Sequence, residues 1–281
     1  MVDSWRSAPL TEVMTGNVIR IPSNATLYDA QKLMSRSKLA RLVVTDRRGK
    51  LRGMITRRDL VRFLSRDKSG RPLDAMKVRE AMSTPVITLR PTNTIAEAAR
   101  TMNKKGVSSV VVTDEVGEIL GIVTKTDLCF HFSLLSSKEK VKDHMTRRVF
   151  TVRPTHSIFF VASILARQGI SRVPVVDGKL QGMITLSDIV QNAPVMRPEG
   201  AQGEEFGRRF QELLVPTAKL TAMTASEVMT TKPVTITPED LLSRAAELMI
   251  EHGISGLPVV DPRGKVRGII TKTDIVRAIA A

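Results

Sequence analysis

The chain has little with which to do redox, metal or membrane chemistry. Cysteine occurs once, at Cys129, which excludes an internal disulfide and a cysteine-rich metal site. Cys129 falls where equivalent stretches carry Val61, Val190 and Val276, an apolar helix position that suits a buried thiol and not a nucleophile. The 4 histidines include no pair at metal-ligand spacing, and His144 replaces Val13, Ala81 and Val228 of other stretches, so no metal site is expected. No apolar run reaches the length of about 18 residues that a membrane span needs. The opening Met1-Val2-Asp3-Ser4-Trp5-Arg6 lacks the apolar stretch of a secretory signal, so a soluble, cytoplasmic protein without a membrane partner is expected. Aromatic residues make up 4%, leaving few rings to stack on single-stranded bases. No Gly-rich phosphate loop of the P-loop type is present either, and no catalytic residues are assigned.

Basic charge is plentiful. The formal net charge is +15, and it is unevenly spread: residues 1–64 hold 13 basic against 5 acidic side chains. Residues 65–78 and 142–193 are also basic, whereas 79–130 and 226–281 are each neutral. A polyanionic partner fits such a concentration better than a generally solvated surface does.

One stretch is written four times. Gly53-Met54-Ile55-Thr56-Arg57-Arg58-Asp59-Leu60 returns as Gly121-Ile122-Val123-Thr124-Lys125-Thr126-Asp127-Leu128, as Gly182-Met183-Ile184-Thr185-Leu186-Ser187-Asp188-Ile189, and as Gly268-Ile269-Ile270-Thr271-Lys272-Thr273-Asp274-Ile275. Successive aspartates are 68, 61 and 86 residues apart, a period that marks a repeat architecture. Within each copy, two apolar strand residues lead into Thr-x-x-Asp at the start of a helix. The pattern fits a capping box, in which the Thr caps the helix and the Asp reaches back to a free amide. It also fits an anion site at a helix N-terminus, with the hydroxyl donating to phosphate and the carboxylate accepting a ribose diol. Four copies in register favour the nucleotide.

Aligned on the glycine, each repeat opens on a short helix-like run near Met14, Met82, Met145 or Met229. A short strand follows, at Val18–Ile21, Val86–Leu89, Val149–Val152 and Val234–Ile236. An amphipathic helix comes next; in the second repeat Thr94 and Glu97 form its cap, and Ile95, Ala98, Ala99 and Met102 its apolar stripe. Gly106, Gly169 and Gly253 end these helices, with Lys38 at the equivalent place in the first. Apolar strands such as Val110-Val111-Val112 read as buried on both faces. Each repeat is therefore β-α-β-β-α, an α/β (α+β) unit too small to hide its own sheet, so the repeats should pair. The boundaries expected are 8–64, 79–131, 142–193 and 226–281, with connectors 65–78, 132–141 and 194–225. In the last connector Phe206, Phe210, Leu213 and Leu214 predict an amphipathic helix, read as docked on its own domain.

The Val-Met-Thr openings at 13–15 and 228–230, the Val/Leu-Pro-Val-Val segments at 173–176 and 257–260, and the four Gly-h-h-Thr-x-x-Asp endings together resemble the CBS domain over nearly the whole chain. That resemblance implies four CBS repeats paired into two Bateman modules in a flattened, disc-like assembly. Stand-alone archaeal proteins and the γ subunit of AMP-activated protein kinase are similar. It further implies adenine nucleotide (AMP, ADP or ATP) as ligand in the clefts between paired repeats, with no other cofactor. Ribose would rest on Asp59, Asp127, Asp188 and Asp274, with hydroxyls from Thr56, Thr124, Thr126, Thr185, Ser187, Thr271 and Thr273. Adenine would lie against Ile19, Ile87, Phe150 and Val234, for which plain core is the alternative. Arg41 and Arg172 match the family's phosphate-holding basic position, whereas Ser109 and Gly256 do not. Arg58 departs from the small hydroxyl residue of the other copies, and would add a phosphate contact or fill the first cleft.

The leading expectation is a non-enzymatic, energy-sensing regulatory protein that acts on an unidentified partner through rearrangement of its modules. The alternative is an RNA- or ribosome-binding protein, using basic residues 1–78 and 142–193 on structured RNA, with nucleotide as co-ligand. S-adenosylmethionine is a weaker ligand candidate, because its sulfonium offers Arg41 and Arg172 nothing to hold. Whether chains form a homodimer is left open.

Overall fold

The computed structural model describes residues 4–64, 67, 69, 71–135, 137–192 and 223–281. The helix expected around Phe206–Leu214 lies outside them. The first repeat runs β1 (Arg20–Pro22), α1 (Leu27–Arg36), β2 (Arg41–Thr45), β3 (Leu51–Thr56) and α2 (Arg57–Leu64). The second has α3 (Val78–Ala81), β4 (Thr88–Leu89), α4 (Ile95–Lys105), β5 (Ser109–Thr113), β6 (Ile119–Thr124) and α5 (Lys125–Ser133). The third has α6 (Val141–His144), α7 (Ile158–Arg167), β7 (Arg172–Asp177), β8 (Lys179–Thr185) and α8 (Leu186–Asn192). The fourth has α9 (Ala225–Val228), β9 (Thr230–Thr231), α10 (Leu242–Glu251), β10 (Gly256–Val260), β11 (Val266–Thr271) and α11 (Lys272–Ala280).

Local chemistry accounts for these elements. The Thr94 hydroxyl accepts from the Glu97 amide at 3.2 Å while Glu97 accepts from the Thr94 amide at 2.8 Å, closing a capping box at the start of α4. Ile95, Ala98, Ala99 and Met102 are fully buried, as their helical spacing requires. Gly106 ends α4 with a left-handed φ of 64°, and Lys38 takes the same region after α1 with φ 53°. β5 is buried along its whole length, as an apolar strand covered on both faces should be.

The opening strands are shorter than the sequence suggests. β1 pairs in parallel with β2 over three residues and β4 with β5 over two. The third and fourth repeats retain only single bridges, Val152 to Val175 and Ile236 to Val259. In each repeat the end of the expected strand is what pairs, and the residues before it lie outside the paired register.

The described residues divide into two compact units, one ending at Asp127 and holding the first and second repeats up to the start of α5, the other starting at Leu128 and holding the third and fourth. Inside each unit the repeats exchange their opening segments. The Leu10 amide donates to the Asn93 carbonyl and the Ile95 amide to the Ala8 carbonyl, so the first opening caps the second repeat's helix. A little further on, Thr15 and Ile122 exchange both backbone hydrogen bonds, at 2.9 and 3.0 Å. The second opening returns the favour: Val78 donates to Ala25, and Ser83 and Met54 exchange bonds at 2.8 and 3.1 Å. Thr146 with Ile269, and β9 with β8, repeat the arrangement in the other unit. Leu10, Val78, Val141 and Ala225 are fully buried by it.

This exchange explains the glycine of each copy. A Cβ at Gly121 would sit 2.8 Å from Met14 Sδ and 3.1 Å from the Thr15 carbonyl oxygen. The same clash recurs with Met82 at Gly53, Met229 at Gly182 and Met145 at Gly268. The opening methionine of one repeat thus lies over the glycine of the other.

Candidate functional site

In the structure all four Thr-x-x-Asp pairs close as caps. The backbone amides of Thr56, Thr124, Thr185 and Thr271 donate to Oδ2 of Asp59, Asp127, Asp188 and Asp274 at 2.9, 2.7, 2.7 and 2.9 Å. The hydroxyls of Thr56, Thr185 and Thr271 donate to the same oxygen at 2.6, 2.8 and 2.7 Å. Capping therefore uses one carboxylate oxygen and leaves Oδ1 to distinguish the copies.

Oδ1 differs sharply among them. At Asp59 it accepts from the Ser83 hydroxyl of the second repeat at 3.0 Å, and Arg62 Nη1 stands 3.9 Å away. At Asp274 it pairs with Arg277 Nη1 at 3.1 Å. At Asp127, among the described residues, Oδ1 has no hydrogen-bond partner; Thr124 engages only Oδ2. Asp59 and Asp274 are buried and Asp127 is half-buried.

The two candidate phosphate arginines sit across from two of these aspartates. Antiparallel register places Arg41 beside Thr56 and Arg172 beside Thr185, each in its own repeat. From there Arg41 Nη1 reaches the second repeat and donates to the Ser108 carbonyl at 2.7 Å. Arg172 similarly donates to the Ser255 hydroxyl at 2.5 Å and to the Gly256 carbonyl at 3.3 Å. A Cβ at Gly256 would come within 2.7 Å of Arg172 Nη1, so the glycine there makes room for the guanidinium.

Burial pushes both guanidiniums below the ordinary arginine value, with Asp127 opposing the shift at Arg41 and Asp274 opposing it at Arg172. An arginine stays protonated regardless, so the shift signals a buried cation short of counter-charge. Arg172 shows the shortage directly: its Nε is buried and without a hydrogen-bond partner among the described residues. Neither arginine has a carboxylate within ion-pair distance among those residues; each rests on neutral carbonyls and hydroxyls. Such a site invites a phosphate, which a guanidinium can grip with two parallel bonds.

The remaining candidates fall around these pairs. Ile19 gives its carbonyl to the Val43 amide and Ile87 gives its own to Val111, which puts both on the sheet of their own repeat. Ile19, Ile87 and Val234 are half-buried, and Phe150 is 48% exposed, so none is enclosed core. Thr126, Ser187 and Arg58 are exposed and Thr273 is half-buried. Beside Asp59 opens a cleft of ≈ 370 Å³ whose walls include Asp67 and Glu80. Arg62 also lines it, and Arg71 pairs with both Glu80 and Asp67, at 2.8 and 3.8 Å. Cys129 is fully buried. Among the described residues there is no metal-binding cluster, and no helix is long and apolar enough to cross a membrane.

Ser83, Arg62 and Arg277 were not singled out from the sequence. A comparison of the residue three after each aspartate carries the signal for two of them: Arg62 and Arg277 in the outer repeats, Phe130 and Gln191 in the inner ones.

Comparison with known proteins agrees with this architecture. The chain is 28% identical over 278 residues to the uncharacterized protein MJ1225 of Methanocaldococcus jannaschii, covering 94% of this chain and 95% of that one. An uncharacterized 33.4 kDa protein in the ribosomal RNA operon of Thermofilum pendens is 27% identical, covering 91% of this chain and 86% of that protein. The crystal structure of MJ1225, proposed there as an archaeal homologue of g-AMPK, superposes with a TM-score of 0.78 at 26% identity, covering 97% of this chain and all (100%) of the other. An uncharacterized conserved protein of Pyrococcus horikoshii shares the fold, with a TM-score of 0.69 at 20% identity over 97% of this chain and 100% of that one. CBS domains match at residues 10–66, 78–133, 141–194 and 225–281. With four CBS repeats paired as Bateman modules are, the chain belongs to the CBS domain family.

Proposed function

We propose that the protein is a non-catalytic regulatory protein that binds adenine nucleotides in the clefts between exchanged repeats. One observation carries this reading: Arg41 of the first repeat and Asp127 of the second interact electrostatically without an ion pair, the arginine resting on a neutral carbonyl and the carboxylate keeping Oδ1 unengaged among the described residues. Ribose hydroxyls on Oδ1 and phosphate on Arg41 would satisfy both at once. Thr124 and Thr126 stand at the same helix start, where the positive end of the helix dipole favours an anion although the first-turn amides are committed to the cap and to Ser108. Arg172 and Asp274 form the second such pair, interacting across the third and fourth repeats. The half-buried Ile19, Ile87 and Val234, and the more exposed Phe150, supply apolar surface for adenine.

Regulation follows from where the two grips are anchored. A nucleotide held by Arg41 and Asp127 ties two repeats together, so it favours whichever arrangement of the pair suits both contacts. It shifts that equilibrium only by its difference in affinity for the two arrangements. The regulated partner is a protein that reads the arrangement. A Kd near micromolar, about −8 kcal/mol, matches two such contacts.

The test is calorimetry with AMP, ADP, ATP and S-adenosylmethionine on wild type, Arg41→Met and Asp127→Ala. Adenylates should bind and both variants should weaken them. Equal affinity in all three proteins would remove the cleft assignment.

A second reading has the basic excess of residues 1–78 and 142–193 as its support: binding to structured RNA or the ribosome, with nucleotide as co-ligand. The T. pendens relative lies in a ribosomal RNA operon, which is consistent with it. RNA association measured against salt decides the matter, since phosphate contacts release counterions and a flat log–log plot would exclude them.

A further inference from the structure

At Asp59 and Asp274 the second carboxylate oxygen is already occupied by groups of the protein itself. Asp274 Oδ1 holds Arg277 at 3.1 Å, and Asp59 Oδ1 holds Ser83 at 3.0 Å. Asp127, by contrast, presents Oδ1 unengaged among the described residues. The arginine side chain of Arg277 is 65% exposed while the Asp274 side chain is 5% exposed. The pair is therefore an exposed surface cation set on a buried, helix-capping acceptor. Helical spacing sets this up: residues three apart share a face, so an arginine after Asp274 lands on its carboxylate. Phe130, three after Asp127, cannot do so.

We propose that Arg277 is a built-in occupant of the ribose position, so that the Asp274 cleft binds nucleotide only by displacing it and fills after the Asp127 cleft. The inference rests on the nucleotide reading above and adds a rank order to it. Ribose hydroxyls and the Arg277 guanidinium compete for one oxygen. A nucleotide must supply what the lost ion pair supplied, and Arg172, with its buried unpartnered Nε, offers the compensating phosphate contact. The Asp127 cleft has no such competitor, so its ribose grip is available from the start. The difference is modest by nature, because solvent screens the exposed Arg277 end of the pair and such a contact contributes about 1 kcal/mol, or about fivefold in affinity.

The experiment removes the Asp127 ribose grip with Asp127→Asn and titrates AMP by calorimetry, with and without Arg277→Gln, the Asp274→Asn variant below assigning any gain to the Asp274 cleft. Adding Arg277→Gln should tighten AMP binding up to about fivefold. The gain should vanish when Asp274→Asn is also present, because no carboxylate is left to unplug. Weaker binding on Arg277→Gln would make the arginine a ligand contact and overturn the proposal, and unchanged binding would overturn it too. Wild type that binds no AMP would instead defeat the nucleotide reading itself, so the two failures are distinguishable. Arg277 is exposed, so its replacement leaves the fold intact, and a matching thermal transition verifies this.

Discussion

Arg41 and Asp127 belong to different repeats yet bear on each other electrostatically, with Asp127 opposing the effect of burial on the guanidinium. Between them lie an anion-seeking cation and a carboxylate with one oxygen committed to its own helix. A nucleotide that bridged them would bind to the pairing of the two repeats and to neither repeat alone.

Replacing Arg41 by methionine keeps the length of the side chain and removes the charge. Phosphate-bearing ligands should lose about tenfold or more in affinity, the cost of one charge-assisted hydrogen-bonded contact of about 1.5–3 kcal/mol. Adenosine should lose little. Equal losses for AMP and adenosine, read by calorimetry, would place the arginine away from the phosphate.

The glycine of each copy is tested at Gly182. A Cβ there would meet Met229 Sδ at 2.5 Å and the Thr230 carbonyl oxygen at 2.9 Å. Gly182→Ala should destabilise by about 1–3 kcal/mol, the usual penalty for overpacking. Adding Met229→Ala should not restore stability, because the backbone oxygen remains in the way. Thermal denaturation of the single and double variants reads this directly; a neutral Gly182→Ala would show that the exchanged segment is loosely held.

Much of the fold can be read from periodicity alone. The four-fold recurrence locates the repeats, the 3.6-residue stripe of Ile95, Ala98, Ala99 and Met102 locates the buried helix face, and Thr94 with Glu97 locates its start. All these signals are local. The exchange of opening segments is not, since nothing in Met14 says that it covers Gly121, 107 residues later, instead of Gly53. The site divides along the same line. Thr-x-x-Asp marks where each carboxylate sits, and the structure shows that it serves as the cap in all four copies. What its other oxygen does depends on Ser83 from a neighbouring repeat or on a helical neighbour such as Arg277.

Lys38 occupies a left-handed position that glycine fills in the other three repeats. A side chain there is strained, and Lys38→Gly should stabilise the first unit by up to about 1 kcal/mol after the entropy of the unfolded glycine is deducted. A lower midpoint in chemical denaturation would contradict this account of the helix end.

Glu97 illustrates the pH dependence of the caps. Its carboxylate accepts from the Thr94 amide and from Asn93, which holds it below the ordinary glutamate value of 4.5. A lowered value in the folded state means that ionised Glu97 stabilises the protein above that ordinary value. The contribution is lost as pH falls through the lowered folded value. Glu97→Gln should therefore be less stable than wild type at neutral pH, with the gap closing below about pH 4.5. A gap unchanged on acidification would mean that the charge contributes nothing.

The most direct measurement is a crystal structure of the protein grown with AMP. It should show ribose hydroxyls within hydrogen-bond distance of Asp127 Oδ1 and the phosphate on Arg41. A cleft left empty at saturating nucleotide, or a nucleotide seated away from both residues, would contradict the account.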